Sequence, residues 1–361
     1  MAKPPIIVVE DDPFTRLIPI VLDASSSEER RAAFADFMAH DEPDFDGWVK
    51  RVRAGSPGLY PSEVRMVTSQ AEMRAALKDA AALVVESLQV GADDLAAAPA
   101  LKVVQKFGLG LRNVETAACI RHNVKVLTIR RRANIACAEH AFALMLMLSR
   151  KLSATSGLVT RERIEAMGSP LRPFDRRHTP GGNYPRVGGL RMLNGSTLGI
   201  IGLGEIGREI ALRAAAFGMH VLYYQRARIP VDEERELKAT HVPPAKLLAE
   251  SDWIVPQVPT GPATRNLIGR DELALIKPGA CIINVANAPI INRDAVIEAL
   301  KSGRLGGFAL DVQYQEPLPA DDELLRLPNV ILTPRMAGSP RHNGLNDFEE
   351  LITTLAREMT T

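Results

Sequence analysis

TLGIIGLGEIGREIALRAAAFG, residues 197–218, is the stretch that decides the fold. An apolar, β-rich run at 197–201 breaks on Gly202-Leu203-Gly204-Glu205-Ile206-Gly207 and passes into an Ala-rich helical run at 205–217. Alone, G-x-G-x-x-G is a weak pattern; between a buried strand and a helix it is a dinucleotide-binding fingerprint. Gly202 serves the tight turn, Gly204 lets the backbone touch a pyrophosphate, and Gly207 lets the helix pack close to the strand. The free N–H groups where the helix opens, at Glu205 and Ile206, hold the anion.

Outward from this motif, strands are expected at 197–202, 220–224, 253–258, 281–285, 307–311 and 330–333, six in a doubly wound sheet. Upstream, β-rich runs at 6–9, 65–67, 82–85, 102–107 and 124–127 alternate with helical runs such as 69–78 and 114–122, which implies a second parallel sheet. Residues 25–61 read as a helical insertion, with Ser26 as the N-cap of a helix over 28–38. The run 136–152 is one long helix, apolar on nearly every side. Residues 169–195, rich in Pro, Gly and Arg, read as an irregular arm. In the tail, Leu345, Phe348, Leu351, Ile352, Leu355 and Met359 recur at a helical period.

A chain of 361 residues suggests two domains, and 46% apolar with 24% charged residues is ordinary globular composition. Lys plus Arg number 44 against 43 Asp plus Glu, so a net charge of +1 argues against nucleic acid or an anionic membrane as partner. The balance hides a local excess: between 101 and 137 there are eight basic residues and one acid, a net +7. Placed beside a cleft, that excess suits a small anionic substrate. Cys119, Cys137 and Cys281 are odd in number and far apart, which fits reduced thiols in a cytoplasmic protein and no metal site. No signal peptide is expected, and the longest apolar run, 141–148, is too short to span a membrane.

The strand at 220–224 ends in Gln225-Arg226-Ala227-Arg228, where an NAD-specific site puts an acid on the ribose hydroxyls. A neutral Gln225 followed by Arg226 and Arg228 favours NADP or mixed NADP and NAD specificity, because cations replace the repulsion a 2′-phosphate would meet.

Further blocks carry a resemblance. They are Leu101-Lys102-Val103-Val104 with Gly108-Leu109-Gly110, Ala133-Asn134 with Ala138-Glu139-His140, and Val258-Pro259 with Ala263-Thr264-Arg265. Lys277-Pro278-Gly279-Ala280 with Ile283-Asn284, Ala309-Leu310-Asp311-Val312 with Glu316-Pro317, and Thr333-Pro334 with Ala337-Gly338 follow in order. Together with the glycine motif they make the chain resemble the D-isomer-specific 2-hydroxyacid dehydrogenases, whose relatives include formate, phosphite and phosphoglycerate dehydrogenases and glyoxylate reductases. The resemblance implies an α/β protein of two Rossmann-like or flavodoxin-like domains with parallel sheets. A discontinuous substrate domain, 1–158 and 338–361, would clasp a nucleotide domain, 159–337 with the arm at about 159–195, in a homodimer with the active cleft between the domains. By position, Leu109, Asn134 and Arg132 fall to the substrate. Val258, Pro259, Thr264, Val285, Ala286 and Asp311 fall to the cofactor, with Asp311 facing the nicotinamide.

Catalysis in that family rests on an Arg that binds the substrate carboxylate, a His that moves the proton, and a Glu that tunes the His. Here Asn287 stands at the Arg position and Arg335 at the His position, while Glu316 is in place. A guanidinium cannot cycle a proton at ordinary pH, and Arg335 beside Glu316 forms a fixed ion pair. The loss of acid–base help costs roughly 10²–10⁴ in rate. The expectation is an NAD(P)-dependent oxidoreductase acting on the CH–OH group of an anionic substrate, with weakened ordinary activity. The competing expectation is a cofactor-binding non-dehydrogenase, either a sensor or scaffold, or a lyase that uses the bound cofactor. His140 and His342 are the remaining imidazoles near these blocks, and a structural role suits both.

Overall fold

The structure, a computed structural model, describes residues 3–168 and 171–360. The chain divides into two compact units, Met1–Ala136 with Gly338–Thr361, and Cys137–Ala337.

In the first unit β1 (Ile6–Glu10), β2 (Glu63–Val67), β3 (Ala82–Val85), β4 (Val103–Lys106) and β5 (Lys125–Leu127) form a parallel sheet in the order β2-β1-β3-β4-β5. The three central strands are buried along their whole length and are aliphatic up to Glu10, Gln105 and Lys106 at their C-terminal ends, as a sheet covered on both faces requires. One face packs on the helices Phe45–Gly55 and His342–Thr360, which bring Phe45, Trp48, Leu345, Phe348, Leu351, Ile352 and Leu355 into a single cluster. The other face packs on Met73, Leu77, Leu95 and Ala118. Phe348 stacks on Phe107 with ring centroids 5.1 Å apart, so the end of the chain is an integral part of this core.

In the second unit β6 (Thr197–Ile201), β7 (His220–Tyr224), β8 (Ala239–His241), β9 (Trp253–Pro256), β10 (Cys281–Asn284), β11 (Gly307–Leu310) and β12 (Val330–Leu332) form a seven-stranded parallel sheet. Its order, β8-β7-β6-β9-β10-β11-β12, reverses direction between β6 and β9, which is the topological switch point of a doubly wound sheet. Both units are therefore Rossmann-like α/β folds.

Four expectations are corrected. The units part at Ala136, not near residue 158, because Ala138, Ala141, Leu144 and Met145 pack in the same core as Leu198, Ile200, Trp253 and Ile283. The long helix runs Arg132–Arg150, and it starts early because the Asp347 carboxylate accepts the Arg132 backbone N–H at 2.9 Å. The N-cap of Glu28–Met38 is Ser27, whose hydroxyl accepts from the Arg30 N–H, and Ser26 Oγ is buried without a partner. A seventh strand, β8, joins the sheet edge; three residues, Ala-Thr-His, carry too little apolar alternation to announce it. Within the expected arm there is a short helix, Arg161–Ala166; positions 169 and 170 lie outside the described residues, and 171–195 hold no helix or strand.

Among the described residues no helix is long and apolar enough to cross a membrane. Cys119 and Cys281 are buried, and burial pushes the Cys281 thiol up to about 11.

Phe348 is 1% exposed. Replacing it with alanine should destabilise the protein by about 3–5 kcal/mol, read as a lowered urea midpoint.

Candidate functional site

The glycine turn lies at the switch point. Gly202, with φ +96°, carries the chain off β6, and its N–H donates to Tyr224 O at 2.8 Å. A Cβ here would sit 2.4 Å from Gln257 O, and one at Gly207 would sit 2.5 Å from Gly202 O. Both positions are closed to any side chain by backbone. Gly204 differs: it is exposed, it caps the helix Glu205–Ala216, and a Cβ built on it meets nothing within 4 Å. The space above Gly204 is thus kept clear at a helix N-terminus, where the macrodipole and first-turn amides favour an anion. Ile206 packs into the core beneath, and Glu205 stands in the first turn. These residues fit a dinucleotide.

At the end of β7, Gln225 is turned onto its own loop: Oε1 accepts from the Leu203 N–H at 3.2 Å and Nε2 donates to Ala227 O at 2.6 Å. It braces the glycine turn. Arg228 grips Glu234 with two hydrogen bonds of 2.7 and 2.6 Å, and the Tyr223 hydroxyl donates to the same carboxylate at 2.6 Å. Arg228 and Tyr223 hold Glu234 well below the usual carboxylate range, at about 2. Of the two cations expected for a 2′-phosphate, Arg228 is engaged and Arg226 is exposed.

Around the same C-terminal edge, the Thr264 hydroxyl donates to Pro259 O at 2.6 Å and fixes the loop after Val258 and Pro259. Asn284 is fully buried: its Nδ2 donates to Asn287 O at 2.8 Å and its Oδ1 accepts from the Ala286 N–H at 3.0 Å. That staple shapes the turn Val285-Ala286-Asn287.

Asp311 is 1% exposed. Its Oδ1 accepts from Thr333 Oγ1 at 2.6 Å and the Met336 N–H at 3.0 Å, and its Oδ2 from the Ala337 N–H at 2.9 Å. His140 Nε2 lies 3.4 Å from Asp311 Oδ1 and 3.1 Å from Thr333 Oγ1. Burial alone would raise the Asp311 carboxyl, but the hydrogen bonds from His140, Thr333, Met336 and Ala337 outweigh it and hold the group below its ordinary value. Asp311 and His140 thus brace the segment 333–337. In that segment Arg335 has φ +53°, its N–H donates to Asp311 O at 2.8 Å, and its guanidinium pairs with Glu316 at 2.8 Å. Pair and turn border a cavity of about 380 Å³.

In the first unit the equivalent crevice, between β1 and β3, is filled by the chain itself. The Glu10 carboxylate accepts from the backbone N–H groups of Glu86, Ser87 and Leu88 at 2.7, 2.8 and 3.0 Å. Leu109 is half-exposed on the loop after β4, and Asn134 is buried in the first turn of Arg132–Arg150. Arg132 is committed elsewhere: its guanidinium binds Asp347 at 2.8 Å and Glu350 at 2.7 Å. Much of the basic excess is spent likewise, Lys125 on Glu358, Arg121 on Glu115, and Lys106 on the Glu86 carbonyl. The local +7 excess expected to suit a small anionic substrate is thus in large part engaged within the first unit. His342 opens the C-terminal helix and is exposed. Among the described residues no group of three or more His, Cys, Asp or Glu is placed to hold a metal ion. Thr333, Asn284 and Gln313 carry no motif of their own. Thr333, inside the Thr-Pro block, and Asn284, inside the Ile283-Asn284 block, had a signal in the sequence, and Gln313 had none.

Residues 142–337 match the family model described as the NAD binding domain of D-isomer specific 2-hydroxyacid dehydrogenase. The chain is 34% identical over 255 residues to a glyoxylate reductase of Thermococcus litoralis, covering 71% of this chain and 72% of that protein. It is 35% identical over 280 residues to a D-3-phosphoglycerate dehydrogenase of Methanocaldococcus jannaschii, 77% of this chain and 49% of that protein. The holo form of Rhodotorula graminis D-mandelate dehydrogenase superposes with a TM-score of 0.55 at 26% identity, covering 98% of this chain and 93% of that one.

The glycines separate fold from binding. Gly207→Ala should destabilise the protein by about 1–3 kcal/mol through the backbone clash. Gly204→Ala should leave the urea midpoint unchanged while weakening dinucleotide binding about 10-fold or more, measured by quenching of nicotinamide fluorescence.

Proposed function

The chain belongs to the D-isomer specific 2-hydroxyacid dehydrogenase family, and from that premise we propose that it is an NAD(P)-dependent oxidoreductase interconverting a 2-oxo acid and its 2-hydroxy acid, with Arg335 as the anchor of the substrate carboxylate. The observation that carries this reading is the open, exposed Gly204 at a helix N-terminus in a sheet whose far edge ends in the Arg335–Glu316 pair. A bound nicotinamide supplies the hydride exchange at C2. Asn287 offers an amide where a carboxylate clamp needs a cation, so the positive charge at Arg335 takes that duty. A guanidinium does not deliver a proton to the carbonyl oxygen, and turnover of ordinary small 2-oxo acids is correspondingly slow. The relatives named glyoxylate reductase and D-3-phosphoglycerate dehydrogenase support the reaction class.

NADPH is the preferred cofactor in this reading. No acid stands at the end of β7, Gln225 is engaged by its own loop, and the exposed Arg226 is placed in sequence to meet a 2′-phosphate. Titration should give tighter binding of NADPH than of NADH, and Arg226→Ala should remove about 10-fold of NADPH affinity while leaving NADH unchanged. Tighter NADH binding by the unaltered protein would refute the preference.

The activity is tested by the absorbance of NADPH and NADH against a panel of 2-oxo acids. The double variant Asn287→Arg with Arg335→His should gain roughly 10²–10⁴ in kcat/KM on glyoxylate, and histidine tolerates the left-handed conformation at 335. No turnover by either protein on any acid would favour a cofactor-binding role without dehydrogenation.

A further inference from the structure

Four arginines lie on the elements around the end of β7, and three of them are spent on acids. Arg208, in the helix that follows the glycine turn, pairs with Glu233; Arg235 pairs with Asp232 at 3.0 Å, and Arg228 with Glu234. The three acids stand in a row in the first turn of the helix Val231–Leu237. Arg226 is exposed and has no partner among the described residues. The Arg228–Glu234 pair differs from the other two in being anchored in the core. Glu234 is 8% exposed, and its carboxylate accepts from Arg228 Nε and Nη2 at 2.7 and 2.6 Å and from the Tyr223 hydroxyl at 2.6 Å. The Tyr223 oxygen in turn accepts from the Ile229 N–H at 3.2 Å, and Tyr223 is fully buried. Arg228 and Tyr223 keep Glu234 ionised across the ordinary pH range. A two-bond fork between charged groups is roughly twice as strong as a neutral pair of bonds, yet the Arg228 side chain is 57% exposed. Arg228 is thus a solvent-facing cation, two residues from Arg226, that a buried acid holds in place.

We propose that Glu234 is a specificity-determining residue: by holding Arg228 it leaves the 2′-phosphate to Arg226 and so limits how far this site favours NADPH over NADH. The proposal rests on the NADPH reading above and goes past it, since it assigns the degree of preference to a competitor inside the protein. A free guanidinium at 228 would meet a 2′-phosphate with a second charge-assisted fork. In the native chain that fork is already closed on Glu234. Replacing the carboxylate by an amide opens it: the one amide oxygen is taken by the Tyr223 hydroxyl, and the NH2 group is a donor that a guanidinium cannot use. NADH carries a 2′-hydroxyl at that place and is indifferent to the change.

The test is titration of the full chain with NADPH and with NADH, read by nicotinamide fluorescence. Glu234→Gln should bind NADPH about 10-fold more tightly than the unaltered protein and NADH equally well. Adding Arg228→Ala to Glu234→Gln should return the NADPH affinity to its native value, because the gain belongs to the freed guanidinium. A gain that survives in the double variant would assign it to the lost negative charge alone and overturn the proposal. No gain in Glu234→Gln, or a loss, would overturn it as well. The unaltered protein gives a second readout that needs no variant to fold: the Arg228 Nε–H resonance should be the same with NADPH bound as with NADH. A shift specific to NADPH would place Arg228 on the phosphate already and sink the lock. The lock and the cofactor preference fail separately. Tighter NADH binding by the unaltered protein, with the gain in Glu234→Gln intact, would refute the preference and leave the lock standing. An NADPH preference that Glu234→Gln does not change would do the reverse.

Discussion

A carboxylate that is 1% exposed must be compensated where it lies, since an unpaired buried charge is among the costliest features a fold can carry. Asp311 meets that demand with the Thr333 hydroxyl, the Met336 and Ala337 amides and the His140 imidazole. These donors come from the end of β12, the turn after it and the helix Arg132–Arg150. The edge of the second unit that bears Arg335 is therefore shaped around one anion. The Arg335 N–H adds to the lock by donating to Asp311 O and Thr333 O, which accounts for its left-handed backbone. None of these bonds uses the side chain at 335. The turn is specified independently of what it presents, so a guanidinium can occupy it without disturbing the scaffold.

The two units share a strand arrangement and treat its crevice in opposite ways. In the second, Gly204 leaves the space above a helix N-terminus empty, and nothing within 4 Å would obstruct a Cβ there. In the first, Glu10 reaches across from β1 and satisfies three consecutive amides at the end of β3. Burial would raise that carboxyl, yet the hydrogen bonds from Leu88, Ser87 and Glu86 keep it below its ordinary value. An internal carboxylate seated on backbone amides does for the first unit what a phosphate does in a nucleotide site. Of these two crevices, the one in the first unit is thus occupied by the chain's own carboxylate.

How much of this was legible from the residues follows from the range of the forces involved. The glycine turn could be read because its demands are local and steric: a Cβ at Gly202 or Gly207 strikes backbone a few ångströms away. The strands could be read where runs such as Ile6–Glu10 and Ala82–Val85 are buried from end to end. The cationic cluster misled because its neutralising partners are remote in sequence. Asp347, Glu350 and Glu358 lie on the C-terminal helix, more than 200 residues from Arg132 and Lys125. Arg228 misled for a related reason, its partner Glu234 being offered by the following helix. Charge counts describe a segment, whereas ion pairs belong to the fold.

The same distinction bears on what the Arg335–Glu316 pair can do. Its partners are partly exposed, and an ion pair of that kind contributes about 0–1 kcal/mol. If Arg335 anchors the substrate as proposed, an arriving carboxylate replaces another on the same guanidinium, so the exchange is close to neutral. Glu316 is released to solvent at little cost. Charge at this site then orients the ligand without holding it strongly, and affinity has to come from groups whose partner in the empty site is water. The leucine and proline walls beside the pair are such groups. With a fixed cation at 335, the proposed anchoring role would place selectivity in the shape of the neighbouring apolar walls.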